Sequence, residues 1–580
     1  MRLHPSLVVL LALPGLAFAQ VAPPPLTPGR VQQLSPAEAP RLAPALRPAT
    51  PEAVRGPGEL ARVRVVAVRL SGNAALADAE LLPVLQPLVG QEVPLAAIED
   101  ARIRLISAYG RAGYPFVTAS AGLAPEGEGA VLTMSVVEGH IASVKLDGDI
   151  GPAGTQVLRF LEPLVGNGAI TTARLERALL LAGDIPGVTL RSVVRPQQGG
   201  EAGALELVAQ LQRQAFSGYL AVDNRGYRLT GPVQALLTYG ANSHSALGER
   251  IEATIFQTED WEQSFAQIAG EAFLGGSGLR LRGYAGAGRA DPGGVLAAIG
   301  YQGHTTVAGL ALQYPIIRSR PLNLFAGLQF DYLDSEVEVG KPGTRQSFDQ
   351  VRTLRIGLEG NALDTLLPFA PGPAINSASI RLHRGLPWFS ATGATDLPGP
   401  ARVASDFDFV KWTGEASRTQ PLWVPAEGLM FSLFGLVAGQ VSDDILPLSE
   451  KFLFGGNRLG RGFYAGQVTG DNALGLTIEL QLDVRTPPFQ IPGLSAELVE
   501  VQPSAQFYLF RDFGRSWENL ETDRDVTLES WGGGVRLFLT ENVQLDVEAV
   551  RRLTRRVDAA GGSVPPLSET AGFFRLLTRF

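Results

Sequence analysis

Beyond about Phe216 the chain alternates. In residues 472–484, Leu474, Leu476, Ile478, Leu480, Leu482 and Val484 are interleaved with Gly475, Thr477, Glu479, Gln481 and Asp483, the period-2 pattern of a strand with one apolar and one polar face. Residues 542–550 repeat it, with Val543, Leu545, Val547 and Ala549 on one side and Gln544, Asp546 and Glu548 on the other. Sixteen such segments run from 218–225 to 572–580, each about the length that crosses an outer membrane when tilted. Two acids and an amide on one sheet face would be prohibitive to bury dry. The pattern therefore predicts a membrane β-barrel of about 16 antiparallel strands around a water-filled lumen.

Between residues 61 and 212 the periodicity is different. Residues 63–70 read as a strand, 71–73 as a turn, 78–88 as a helix interrupted near Pro83, 95–109 as a second helix, and 116–121 and 130–137 as strands. A weaker copy follows: a strand at 142–146, helices at 156–161 and 171–181 with Arg174 and Arg177 outward, then strands at 189–195 and 204–212. Two β-α-α-β-β modules in tandem suggest a duplicated binding unit rather than an enzyme.

Composition adds a compartment. Residues 1–19 carry one arginine, an apolar run and Ala17-Phe18-Ala19 before Gln20, which reads as a signal peptide. Elsewhere no apolar stretch approaches the ~20 residues a membrane helix needs, so an exported membrane protein of this sequence must be a barrel. Residues 20–60 are rich in proline, with Pro28, Pro36 and Pro40 among them, and read as an extended linker with one short helical piece near 30–34. Net charge is −8 and the basic residues are dispersed, which argues against a nucleic-acid surface. Cysteine is absent, so no disulfide framework is in use.

Residues 441–471 interrupt the alternation with a long segment that has none of its own. At its centre stand Gly460, Arg461, Gly462 and Phe463, an obligatory cation between two glycines that let the backbone turn tightly and carry the guanidinium into a confined place.

Other chemistry is sparse. The five histidines are scattered, which speaks against a metal centre. Residues 283–294 are glycine-rich but lack the third glycine and the βαβ setting of a dinucleotide site, and read as a loop or turn. No Gly-x-Ser-x-Gly is present, so the sequence points to no cofactor and no enzyme. Trp388, Trp412, Trp423 and Trp531 suit an interfacial girdle.

The modules, the sixteen strands, the terminal Phe580 and the Arg-Gly-Phe loop between strands eleven and twelve together resemble the two-partner secretion transporters, the TpsB family of haemolysin secretion and activation proteins. Matching stretches are residues 109–115 with Gly-Tyr-Pro, Val136-Val137-Glu138-Gly139, Asp223-Asn224-Arg225-Gly226 opening the barrel, residues 447–462, and Phe510-Arg511-Asp512-Phe513-Gly514.

The resemblance implies two periplasmic POTRA domains at 61–138 and 139–213, and a barrel at 214–580 whose loop 441–471 folds back into the lumen. It implies that Arg461 pairs with Asp512 on the barrel wall and that Phe580 serves as a C-terminal assembly signal. The implied partners are a large secreted exoprotein of adhesin or cytolysin type, outer-membrane lipid, and the barrel assembly machinery during biogenesis. A factor that inserts other barrels is the alternative from the same superfamily, whose members usually carry three or more POTRA domains. Two departures stand out. Family members usually place valine where this chain has Gly460, which predicts a looser loop, and the prolines of the linker argue against a long plug helix.

Overall fold

The computed structural model describes Ser35, residues 42–43, 61–340, 344–392, 399–492, 498–557 and 566–580. The expected signal peptide, and the expected linker apart from Ser35 and residues 42–43, lie outside the described residues.

The first α+β unit is built from β1 (Arg62–Ser71), α1 (Asp78–Leu85), β2 (Glu92–Pro94), α2 (Leu95–Arg111), β3 (Val117–Glu126) and β4 (Gly129–Glu138). Its sheet has the order β2-β1-β4-β3, with β1 and β4 parallel. Ile98, Ala101, Leu105 and Tyr109 recur at helical spacing on α2 and are buried against the sheet, an amphipathic stripe meeting an apolar sheet face. The expected break near Pro83 is displaced. Pro83 lies inside α1, and the helix tightens into a 3₁₀ turn only at Gln86–Leu88. Glu138, at the end of β4, accepts the backbone N–H groups of Ala74 and Ala75 at 3.0 and 2.9 Å and the Tyr109 hydroxyl at 2.8 Å.

A second unit repeats this order without a counterpart of β2: β5 (His140–Asp147), α3 (Gly154–Leu161), α4 (Thr172–Gly183), β6 (Val188–Pro196) and β7 (Ala204–Arg213), in the sheet order β5-β7-β6. Thr171 caps α4 by accepting the Arg174 N–H at 3.3 Å.

The remainder closes into a barrel of sixteen antiparallel strands from Phe216–Asp223 to Thr570–Arg579. Along Asn472–Arg485 the leucines and isoleucine face outward, with Leu474 and Ile478 at 45% and 48% exposure, while Thr477 and Glu479 are buried in the lumen. Trp388, Trp412, Trp423 and Trp531 are all exposed.

Two expectations are corrected. The glycine-rich stretch from Gly283 is a strand, Arg280–Ala290, not a loop. Its glycines make room for aromatic rings: a Cβ on Gly286 or Gly288 would come within 2.9 Å of Phe265. The lumen is also less simply aqueous than the alternation predicts. Phe256, Phe265, Val307, Leu333 and Val351 of the wall form one buried cluster with Phe407, Phe409 and Leu446 from two inward-turned loops.

The second unit packs on the turns at one barrel end. Arg318 forms a two-pronged pair with Asp184 at 2.7 and 2.8 Å, Arg177 donates to Pro315 O at 2.8 Å, and Phe160 meets Phe273 edge-on at 5.2 Å. Ala43 donates its N–H to Arg320 O at the same end, and the Ser35 hydroxyl accepts a hydrogen bond from luminal Tyr219 at 2.8 Å. The two longest connections, 386–409 and 443–471, leave from the opposite end.

Candidate functional site

The loop between strands Leu429–Ser442 and Asn472–Arg485 does not extend away from the barrel; it turns back into the lumen. A three-residue hairpin, Phe452–Phe454 against Val468–Gly470, stiffens its stem. These strands are too short for alternation to register, which is why the sequence gives no sign of them.

Three stations hold the loop. At the base, Asp471 accepts both prongs of Arg402 at 2.6 and 2.8 Å, together with the N–H groups of Leu446 and Asn519 at 3.0 and 2.9 Å. Arg402 also reaches Glu518 and Asp523. In the middle, Glu450 is buried against Lys411 at 2.8 Å and Arg355 at 2.7 Å, and Arg355 in turn donates to His383 Nδ1 at 2.9 Å.

The tip carries Arg461, which is 4% exposed. Its Nη2 and Nε lie 3.1 and 3.3 Å from the two oxygens of Asp512, and its backbone N–H donates to Asp512 Oδ2 at 2.7 Å. Nη1 bonds to Glu479, and the guanidinium lies 3.6 Å over the Phe510 ring. Glu479 takes a second cation, Arg536, at 2.6 Å, while Asp512 also accepts from the Thr477 hydroxyl at 3.0 Å. Two cations thus face two carboxylates in a closed site. Such an arrangement is tolerable in a dry place only because every charge is paired and hydrogen-bonded.

The tip is also gripped by its main chain. Arg225 donates to the carbonyls of Gly456, at 3.3 Å, and of Arg461, and pairs with Glu548; Arg552 donates to Gly462 O. Gly462 lies so close to the wall that a Cβ there would come within 2.7 Å of Ser530 Cβ. Gly460 has φ +70° and Leu528 beside it, a left-handed backbone that valine would strain. The glycine therefore seats this loop tightly where the sequence predicts loosening. Phe463 is wholly buried, with Leu459 and Phe454 in the stem cluster.

Glu450, Arg402 and Arg552 were not singled out in the sequence, and Arg225 only as part of the stretch that opens the barrel. Each is separated from its partners by tens of residues, and a buried luminal charge looks no different in sequence from a solvated one. Phe580, at the other barrel end, exchanges backbone hydrogen bonds with Gly218 at 2.8 and 3.1 Å. Among the described residues no group of His, Cys, Asp and Glu is placed to hold a metal ion. The arrangement binds one segment of the protein's own chain to the barrel wall.

The chain is similar to known proteins along nearly its whole length. The family described as haemolysin secretion/activation protein ShlB/FhaC/HecB matches residues 296–537, and the ShlB-type POTRA domain matches residues 63–139. The heme/hemopexin transporter protein HuxB of Haemophilus influenzae is 22% identical over 507 residues, covering 84% of this chain and 83% of that protein. CdiB from Escherichia coli superposes with a TM-score of 0.68 at 17% identity, covering 95% of each chain. CdiB from Acinetobacter baumannii superposes with 0.60 at 17% identity, covering 94% and 93%. The two matched regions, the sixteen-stranded barrel and the paired α+β units agree: the chain carries the haemolysin secretion/activation domain over residues 296–537 and a POTRA domain of the same type over 63–139, the build of a two-partner secretion transporter of the outer membrane with its POTRA domains in the periplasm.

Proposed function

We propose that the docked loop is the resting, closed state of this transporter, and that export of its large exoprotein partner requires the tip to leave its seat. The observation that carries this reading is the paired site of Arg461 with Asp512 and Glu479, a buried latch in the lumen where the partner must pass. A buried pair of this kind is held firmly yet opens all at once, because moving one partner strands the other.

The unfolded partner is captured in the periplasm by strand addition to an exposed sheet edge. The candidate edges are β3 in the first unit and β6 in the second, each paired on one side only. Main-chain hydrogen bonds there give affinity with little dependence on sequence. The outward leucines and tryptophans face outer-membrane lipid, and Phe580 is the signal read by the barrel assembly machinery. In this reading the chain is no enzyme, and the free energy for export comes from the partner folding outside.

Cells lacking the chain and complemented with it test the reading by assay of the medium. Arg461→Ala should reduce release of the partner while the barrel keeps its heat-modifiable mobility on gels. Undiminished release removes the latch from the mechanism. Loss of other outer-membrane barrels with the partner still released would favour the barrel-insertion alternative.

A further inference from the structure

The barrel closes on a short seam. Thr570–Arg579 pairs with Phe216–Asp223 over only five positions, from Arg579 opposite Tyr219 to Arg575 opposite Asp223. The last strand continues to Thr570, but the first strand stops, so the backbone groups of Gly572 and Phe574 face an edge with no partner strand. One side chain fills that place. The amide of Asn224 donates from Nδ2 to Gly572 O at 3.1 Å and accepts the Phe574 N–H on Oδ1 at 2.9 Å. It supplies the donor and acceptor that a further strand residue would have supplied.

The next residue belongs to the latch. Arg225 reaches the Gly456 and Arg461 carbonyls of the loop tip, and its own carbonyl accepts the Ala465 N–H at 2.8 Å. Its guanidinium also lies 4.0 Å over the ring of Phe573, the residue between the two backbone groups held by Asn224. Loop tip and seam therefore meet at two consecutive residues.

The other end of the seam is built differently. There the Gly218–Phe580 ladder bonds are backed by Phe216 stacked on Tyr239 at 5.8 Å and Tyr239 on Phe580 at 6.1 Å. None of these groups touches the loop.

We propose that Asn224 and Arg225 are positioning residues that couple the two: a seated tip holds Arg225, which keeps the Asn224 amide on the last strand, and release of the tip loosens the outer end of the seam while the periplasmic end stays closed. This rests on the reading that the tip leaves its seat during export, and goes beyond it by tying that movement to the barrel wall.

Coupling of this kind is reciprocal, which gives a test that a purely structural role would not pass. The chain has no cysteine, so single thiols report cleanly. Leu459→Cys reports on the tip, where Leu459 is 8% exposed; Gly572→Cys reports on the seam, where a Cβ meets nothing within 4 Å. In the full chain reconstituted in liposomes, Asn224→Ala should speed maleimide labelling of the tip thiol by about fivefold or more, the lower end of ordinary coupling between sites. Asp512→Asn, whose contacts are Arg461 of the tip and Thr477 of the neighbouring strand and none in the seam, should speed labelling of the seam thiol to a similar degree. If Asn224→Ala does not insert, Asn224→Asp, which keeps the acceptor for Phe574 and loses the donor to Gly572, takes its place. Each perturbation speeding only its own reporter overturns the coupling. That failure is distinct from failure of the export reading, which would appear as normal release of the partner by Arg461→Ala.

Discussion

Arg461 meets Asp512 through two parts of the same residue: the guanidinium lies 3.1 and 3.3 Å from the carboxylate oxygens, and the backbone N–H donates to Oδ2 at 2.7 Å. Truncating the arginine therefore does not undo the contact. Arg461→Ala leaves Asp512 with that N–H and the Thr477 hydroxyl, whereas Asp512→Ala leaves a buried guanidinium that must share Glu479 with Arg536, and a buried N–H without its acceptor. The second change should weaken seating of the tip by about 3–5 kcal/mol, the usual effect of removing one partner of a buried pair, and the first by less. Labelling rates of the Leu459→Cys thiol in the two variants give the order. Equal rates would mean that the backbone bond contributes nothing.

Glu450 offers a way to loosen the stem without touching the tip. Glu450→Gln leaves Lys411 and Arg355 facing a neutral amide in a site where the glutamate is 5% exposed, at a cost of about 3–5 kcal/mol. Protease cleavage of the loop in the reconstituted protein should become faster, with the barrel still heat-modifiable. Unchanged cleavage would place the holding force elsewhere.

The pairing of Asp184 with Arg318 fixes the second unit to the barrel. Asp184→Ala leaves an arginine that is 6% exposed without its carboxylate and should raise the mobility of the second unit. A spin label on that unit would report faster or broader motion, with the barrel unaltered. An unchanged spectrum would show that the apolar contact of Phe160 with Phe273 suffices.

Much of the architecture was legible before any coordinates. Each alternating segment from 218–225 onward corresponds to a barrel strand, because a wall between lipid and lumen imposes period 2 on every crossing. The helices of the α+β units were legible from the stripe that includes Leu105 and Tyr109. Arg461 stood out through its flanking glycines. Glu450 and Arg402 did not, because their partners come from distant strands and loops. The apolar luminal cluster around Phe256 and Phe409 was hidden because inward and outward hydrophobes follow the same alternation once loops fold inside.

Tyr109 gives the first unit a pH dependence. Burial raises its phenol pKa, and the hydrogen bond to Glu138 raises it further. The folded value thus lies above the unfolded value of about 10. The associated stability is complete below that pH and is lost as pH rises through the folded value. With a fluorophore on Leu123→Cys in β3, the urea midpoint of the first unit should fall above about pH 10 in the parent and stay flat in Tyr109→Phe. A fall of the same size in both would assign the alkaline loss to other groups.

The most direct measurement locks the tip in place. Gly462 and Ser530 approach so closely that Gly462→Cys with Ser530→Cys needs only a small outward shift to reach the ~3.8 Å Cβ separation of a disulfide, in a chain without competing thiols. Release of the exoprotein is then followed in oxidised cells and after addition of a membrane-permeant reductant. Release that stops in the cross-linked protein and resumes on reduction is the predicted result. Release at the same rate from fully cross-linked protein would contradict the claim that the loop must leave its seat.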